Sequence, residues 1–172
     1  FRYDENGFLS EESYYDENGN SVLSVEGYAR IEYTNSDVGN VVSTKVYDIN
    51  GTIVLDGEGY AYSVREYDER DRVVSEVYYN ADGERMTLKS GYAQIVYTHE
   101  QLNDSRRVVE QYLDMNGECV MTQLGYAQRV CRYNLLDQIV EEAYYNLRGE
   151  AVRSVDGYAG VRHTYNHAYL ET

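Results

Sequence analysis

Apolar and polar positions alternate along most of this chain. Ala29, Ile31 and Tyr33 fall on one side of an extended segment, and Tyr28, Arg30 and Glu32 fall on the other. Period-two alternation predicts half-buried β-strands. Helical periodicity is absent, and glycine recurs so often that helices would be costly. The runs are punctuated by one kind of turn signal, at Asp16-Glu17-Asn18-Gly19, Asp48-Ile49-Asn50-Gly51, Asn80-Ala81-Asp82-Gly83, Asp114-Met115-Asn116-Gly117 and Asn146-Leu147-Arg148-Gly149. An Asx side chain suits a turn entrance, and Asn or Gly takes positive φ cheaply. With Tyr, Val and Thr on both sides, each signal reads as a hairpin loop. Three residues beyond each of these glycines stands Val22, Val54, Met86, Val120 or Val152, a recurrence that marks a buried position.

The whole pattern repeats. Gly-Tyr-Ala occurs five times, beginning at Gly27, Gly59, Gly91, Gly125 and Gly157, at intervals of 32, 32, 34 and 32 residues. Each copy is expected to open a strand, with Gly for the bend and Ala where another strand approaches closely. A weaker element beginning at Tyr3, Tyr33, Tyr67, Tyr97, Tyr133 and Tyr165 fills the other half of each unit. Its turn varies in length, which suits an exposed rim, and the stretch 98–106 holds the two extra residues of the long interval. Self-similarity at this period is the signature of a repeat architecture. The expected fold is all-β: an elongated repeat of stacked β-hairpins, about two hairpins per unit of about 32 residues, winding into a solenoid or superhelix. Residues 1–172 read as one array of about five units. The chain starts at Phe1 inside a repeat, so it is expected to be a fragment of a longer protein.

Charge narrows the partners. A net charge of −15 makes nucleic acid and anionic membrane surfaces poor partners and leaves cationic or neutral ligands. No apolar run is long enough to span a bilayer, so membrane insertion is not expected. Tyr supplies 21 residues against two Phe and no Trp, which implies many positions with one apolar face and a wet hydroxyl.

Reactive residue types give little. Cys119 and Cys131 fall in one repeat and read as free thiols, with local pairing as the alternative. His99, His163 and His167 do not recur between units, and no cysteine joins them at metal spacing, so they read as solvated. The Asp-x-Asn-Gly loops resemble the start of a calcium loop but lack its bidentate Glu. No nucleophile elbow, phosphate loop or zinc-protease motif occurs. An active site needs unique residues, whereas the informative ones here occur five times. No catalysis, metal or cofactor is expected.

The segment Tyr14-Tyr15-Asp16-Glu17-Asn18-Gly19-Asn20-Ser21-Val22, followed by Gly27-Tyr28, resembles the cell-wall-binding repeats of Gram-positive surface proteins, the choline- and glucan-binding modules. The resemblance covers about half of each unit. It departs from that family in unit length, nearer 20 residues there, and in having no Trp. The Tyr67-Asp68 half looks more like the tyrosine–aspartate repeats of Rhs-type shell proteins, which build β-spirals. Together these imply glycan or choline binding, or a structural shell.

Tyr28, Tyr60, Tyr92, Tyr126 and Tyr158 are therefore candidate stacking platforms or cage walls, with Tyr14, Tyr78, Tyr112 and Tyr144 as second walls. A ladder of tyrosines packed on one another is the competing reading. The expected function is non-catalytic binding of a bacterial surface polymer, either a cell-wall polysaccharide or a choline-bearing teichoic acid. It would tether a parent protein, with an attached catalytic or surface domain, at the cell surface or in secreted form. The alternative is a structural scaffold, spacer or protein-interaction repeat.

Overall fold

The computed structural model describes residues 1–166, and His167, one of the three histidines, lies outside them. Eleven strands and no helix occur among the described residues. They are β1 (Arg2–Tyr3), β2 (Leu9–Ser13), β3 (Arg30–Asn35), β4 (Val41–Tyr47), β5 (Tyr62–Tyr67), β6 (Val73–Tyr79), β7 (Gln94–Gln101), β8 (Arg106–Leu113), β9 (Gln128–Tyr133), β10 (Ile139–Tyr145) and β11 (Gly160–Arg162). Strand order is chain order, without a crossover. Two compact units are distinguished. In the first, formed by Phe1–Ile95 with Leu113–Glu118, β1 to β6 pair antiparallel with their sequence neighbours. In the second, β8 to β11 do the same.

Each repeat supplies two strands. Within a unit, one tight turn joins a strand pair such as β3–β4, where Gly39 N–H donates to the Ser36 carbonyl at 3.0 Å. The next connection, from Tyr47 to Tyr62, is a double turn. It passes through 48–51, touches back with a single bridge from Tyr47 to Ile53, and turns again at Asp56–Gly59. The second turn carries the Gly-Tyr-Ala glycine at its fourth position: Gly27, Gly59, Gly91, Gly125 and Gly157 each donate to the residue three before, at 2.9–3.1 Å. Their φ values of 89–98° lie in the left-handed region open to glycine. The strand begins only after the alanine.

That alanine is pinned between two neighbouring strand ends. The amides of Ala29, Ala61, Ala93 and Ala127 donate at 2.8 Å to Tyr47, Tyr79, Leu113 and Tyr145, and their carbonyls accept from Tyr14, Val46, Tyr78 and Tyr112 at 3.0–3.3 Å. The four are 0–4% exposed, so the backbones close in around a side chain no larger than a methyl. Val22, Val54, Met86, Val120 and Val152 are half-buried, and each amide donates to the carbonyl eight residues earlier, at 2.9–3.2 Å.

Tyr33 and Tyr97 do not start turns. They sit inside β3 and β7, and the residues aligned with Tyr67 are Asn35 and Gln101. Asn35 Nδ2, Tyr67 Oη and Tyr165 Oη each donate to a carbonyl 26 residues earlier (Leu9, Val41 and Ile139) at 2.7–2.9 Å. The two extra residues of the long interval lengthen β7 and β8 to 8 residues each, against 6 and 7 in β5 and β6.

Candidate functional site

The turns place the tyrosines. At each 48–51-type turn, the entrance Oδ1 accepts two amides, from the residues two and four beyond it. Asp16, Asp48 and Asp114 do this at 2.7–3.0 Å, and Asn80 and Asn146 do it at 2.9–3.0 Å. Asp and Asn interchange because only the acceptor oxygen is used. Turn geometry thus accounts for the carboxylates that the calcium comparison singled out. Their charged form is favoured: Asn20, the Thr52 amide and the Glu118 amide are the leading partners that hold Asp16, Asp48 and Asp114 below the usual carboxylate range.

Tyrosines at strand ends, Tyr14 just past β2 and Tyr78, Tyr112 and Tyr144 inside β6, β8 and β10, meet the Gly-Tyr-Ala tyrosines. In the first unit, ring centroids lie 6.0 Å apart for Tyr14–Tyr28, 5.1 Å for Tyr60–Tyr78 and 5.9 Å for Tyr78–Tyr92. In the second, Tyr112–Tyr126, Tyr126–Tyr144 and Tyr144–Tyr158 are 5.7, 4.7 and 6.1 Å apart. All nine candidate residues enter such pairs. Val46 takes the repeat position of Tyr14 and Tyr78 and is 2% exposed. Tyr28, Tyr78, Tyr112, Tyr126 and Tyr144 are 4–7% exposed; Tyr14, Tyr60 and Tyr92 are half-buried, and Tyr158 is 42% exposed. Tyr28 stands in the link between turn and strand, and its ring meets Tyr14.

Carboxylates line the hydroxyls. Tyr14, Tyr28 and Tyr112 donate to Glu12, Glu26 and Glu110 at 3.0, 2.7 and 2.8 Å. Burial, then the carboxylate, raises the Tyr28 phenol well above its ordinary range; burial and Glu142 push Tyr144 up to about 12. In the second unit Arg129 donates to Glu110 at 2.9 Å and to Glu142 at 2.7 Å. In the first, the 7%-exposed Glu76 accepts from Arg65 at 3.0 Å. Reading by residue type missed these partners. Their signal was a Glu two residues before the tyrosine at Glu12, Glu76, Glu110 and Glu142.

Both cysteines are free, Cys119 exposed and Cys131 fully buried, where burial pushes the Cys131 thiol up to about 11. Among the described residues no cluster of three or more His, Cys, Asp or Glu could hold a metal ion. Among the described residues no helix is long and apolar enough to cross a membrane.

Two grooves sit at corresponding repeat positions beside the 48–51-type turns. One, of about 400 Å³, is lined by Arg2, Glu11, Tyr15, Arg30 and the Asp48–Gly51 turn, among others. The other, of about 320 Å³, is lined by Gln111, Cys119, Ala127, Gln128 and the turn from Asn146 to Gly149. Comparison with protein-family models, curated proteins and solved structures finds no match.

Proposed function

We propose that the chain is a non-catalytic structural module, a β-hairpin repeat winding as a solenoid that acts as scaffold or spacer around a tyrosine core. The observation that carries this reading is the cover over the rings. Tyr28, Tyr78, Tyr112, Tyr126 and Tyr144 keep only 4–7% of their surface exposed. Rings so covered offer little area to a ligand, while each aromatic pair adds about 0.5–1.5 kcal/mol beyond burial. The turns, the buried alanines and the tyrosine pairs recur from repeat to repeat, which supports a non-enzymatic role.

A second reading, binding of a bacterial surface polysaccharide or choline-bearing teichoic acid by a surface or secreted parent protein, draws on Tyr158. That ring is 42% exposed, and Tyr60 and Tyr92 are only half-buried. Thermal unfolding with choline and with cell-wall glycan separates the two. The scaffold reading expects no rise in Tm with either ligand and a lower Tm in Tyr60→Ala and Tyr92→Ala. A ligand-dependent rise that Tyr60→Ala removes without unfolding the chain overturns it.

A further inference from the structure

We infer that the groove beside the Asn146–Gly149 turn binds a sugar acid, a pyranose carrying a carboxylate. The argument begins with a glutamine whose internal partners have been lost. In the third repeat, Gln94 is fully engaged: Arg85 Nη2 donates to its Oε1 at 2.9 Å, and its Nε2 donates to Ser75 Oγ at 2.9 Å. The same position one repeat later is Gln128, and the residues in the places of Arg85 and Ser75 are Cys119 and Val109. Neither can repeat those bonds.

Gln128 therefore presents a half-buried carboxamide to the 320 Å³ groove, a volume within the roughly 300–1,000 Å³ typical of small-ligand sites. Gln111 lies directly across the strand pair from it and lines the same groove. Gln111 is also particular to this repeat, where the corresponding residues are Ser13, Lys45, Val77 and Ala143. Among the described residues, no hydrogen bond or ion pair engages the side chains of Gln111, Gln128 or Arg148. Two carboxamides supply acceptors and donors together, which matches neighbouring sugar hydroxyls that both give and accept. Leu147, 57% exposed at the turn tip, offers the apolar edge that a pyranose C–H face needs. Arg148 supplies a free guanidinium for a carboxylate. The lining contains no Asp or Glu; Glu150, which accepts from Asn146 Nδ2 at 2.8 Å, is not part of it. Glu150 is the nearest like charge, turned onto Asn146 at the rim; Arg148 offsets it, and charges farther off in a chain of net charge −15 are screened beyond about 8 Å at physiological salt. The site is separate from the tyrosine column.

Saturation-transfer NMR on the intact chain tests this with methyl glucuronide, methyl glucoside and glycylglycine as probes. Methyl glucuronide is expected to receive saturation, and the neutral glucoside to bind about tenfold more weakly, the cost of one charge-assisted hydrogen bond. Gln128→Met keeps the apolar stem but removes the carboxamide that meets the hydroxyls, so it should abolish transfer to both sugars, with unfolding of the variant measured alongside. Arg148→Gln should bring the glucuronide down to the level of the glucoside. Absence of transfer to the wild-type chain overturns the proposal, as does equal transfer to Gln128→Met. Glycylglycine displacing the glucuronide and binding more tightly would reassign the groove to peptide.

Discussion

Tyr126 and Tyr144 lie nearly face to face, their ring centroids 4.7 Å apart and their planes 18° from parallel. One ring comes from a turn-to-strand link and the other from the end of β10, so the contact ties the double turn to the sheet. Both residues are 7% exposed. Tyr144→Ala is expected to cost about 3–5 kcal/mol, as for other large aromatics cut back in a core. Tyr158→Ala, at a 42% exposed ring, should cost much less. Urea unfolding of the two variants checks the ranking; equal losses would mean that the column does not carry the stability.

Acid should loosen the turns in a residue-specific way. The carboxyls of Asp16, Asp48 and Asp114 titrate below their ordinary value, so their contribution is complete above the unfolded-state pKa of about 3.9. It is lost as pH falls through the still lower folded values. Asp48→Asn keeps the acceptor for the Asn50 and Thr52 amides, both 2.8 Å away, but removes the titration. Its stability should therefore fall less between pH 5 and 2 than that of the wild type, as measured by urea midpoints across that range.

Alkali acts through the phenols. Burial first, then Glu142 for Tyr144 and Glu32 for Tyr47, pushes both hydroxyls up to about 12. A raised folded-state pKa gives stability that is whole below the unfolded phenol value near 10 and is lost as pH rises through the folded one. The chain should thus unfold cooperatively between about pH 10 and 12, with the part of the phenolate absorbance that Tyr144→Phe removes rising in step with loss of sheet circular dichroism. That part of the absorbance appearing well before unfolding would show the Tyr144 hydroxyl to be more open than its burial implies.

Period-two alternation is enough to place the strands, and the small residue of Gly-Tyr-Ala marks a close approach of neighbouring strands. The second turn of each connection was hidden. Its first position holds Ser24, Asp56, Leu88, Thr122 or Ser154, so no shared Asx announces it. Leu88 shows why none is needed: its carbonyl accepts from Gly91 at 2.9 Å, and the glycine conformation does the rest. Tyr33 reads as a turn residue because it lies two positions from Asn35, a shift that preserves strand facing. The freed carboxamide of Gln128 was invisible for a different reason. Finding it requires knowing which residues meet Gln94, and only the folded contacts bring Ser75 and Arg85 to it.

Ala61 tests how tightly the strand ends close. It is 0% exposed, donates to Tyr79 and accepts from Val46, so a larger side chain has nowhere to go without parting two strands. Ala61→Val is expected to cost about 1–3 kcal/mol by overpacking, although valine favours strands. Ala159, which is half-buried, should tolerate the same change better. Comparable losses in thermal unfolding at both positions would argue against a closed seam at Ala61.

Two glycines separate backbone strain from crowding. Gly149 has φ of 76° and no neighbour within 4 Å of an added Cβ, whereas Gly125 has φ of 92° and the Arg153 carbonyl oxygen 3.2 Å from that position. Gly149→Ala should cost roughly 1 kcal/mol, the penalty for an L-residue in the left-handed region. Gly125→Ala adds a contact tighter than normal packing, against backbone that cannot swing aside as a side-chain end can. Val155 N–H also donates to Leu124 at 2.9 Å beside it, so relief by separation would strain that bond. Gly125→Ala should therefore lower the urea midpoint distinctly further than Gly149→Ala. If the two fall together, the turn at Gly125 has room to open, and its hold on the Arg153–Val155 segment is weaker than the distances indicate.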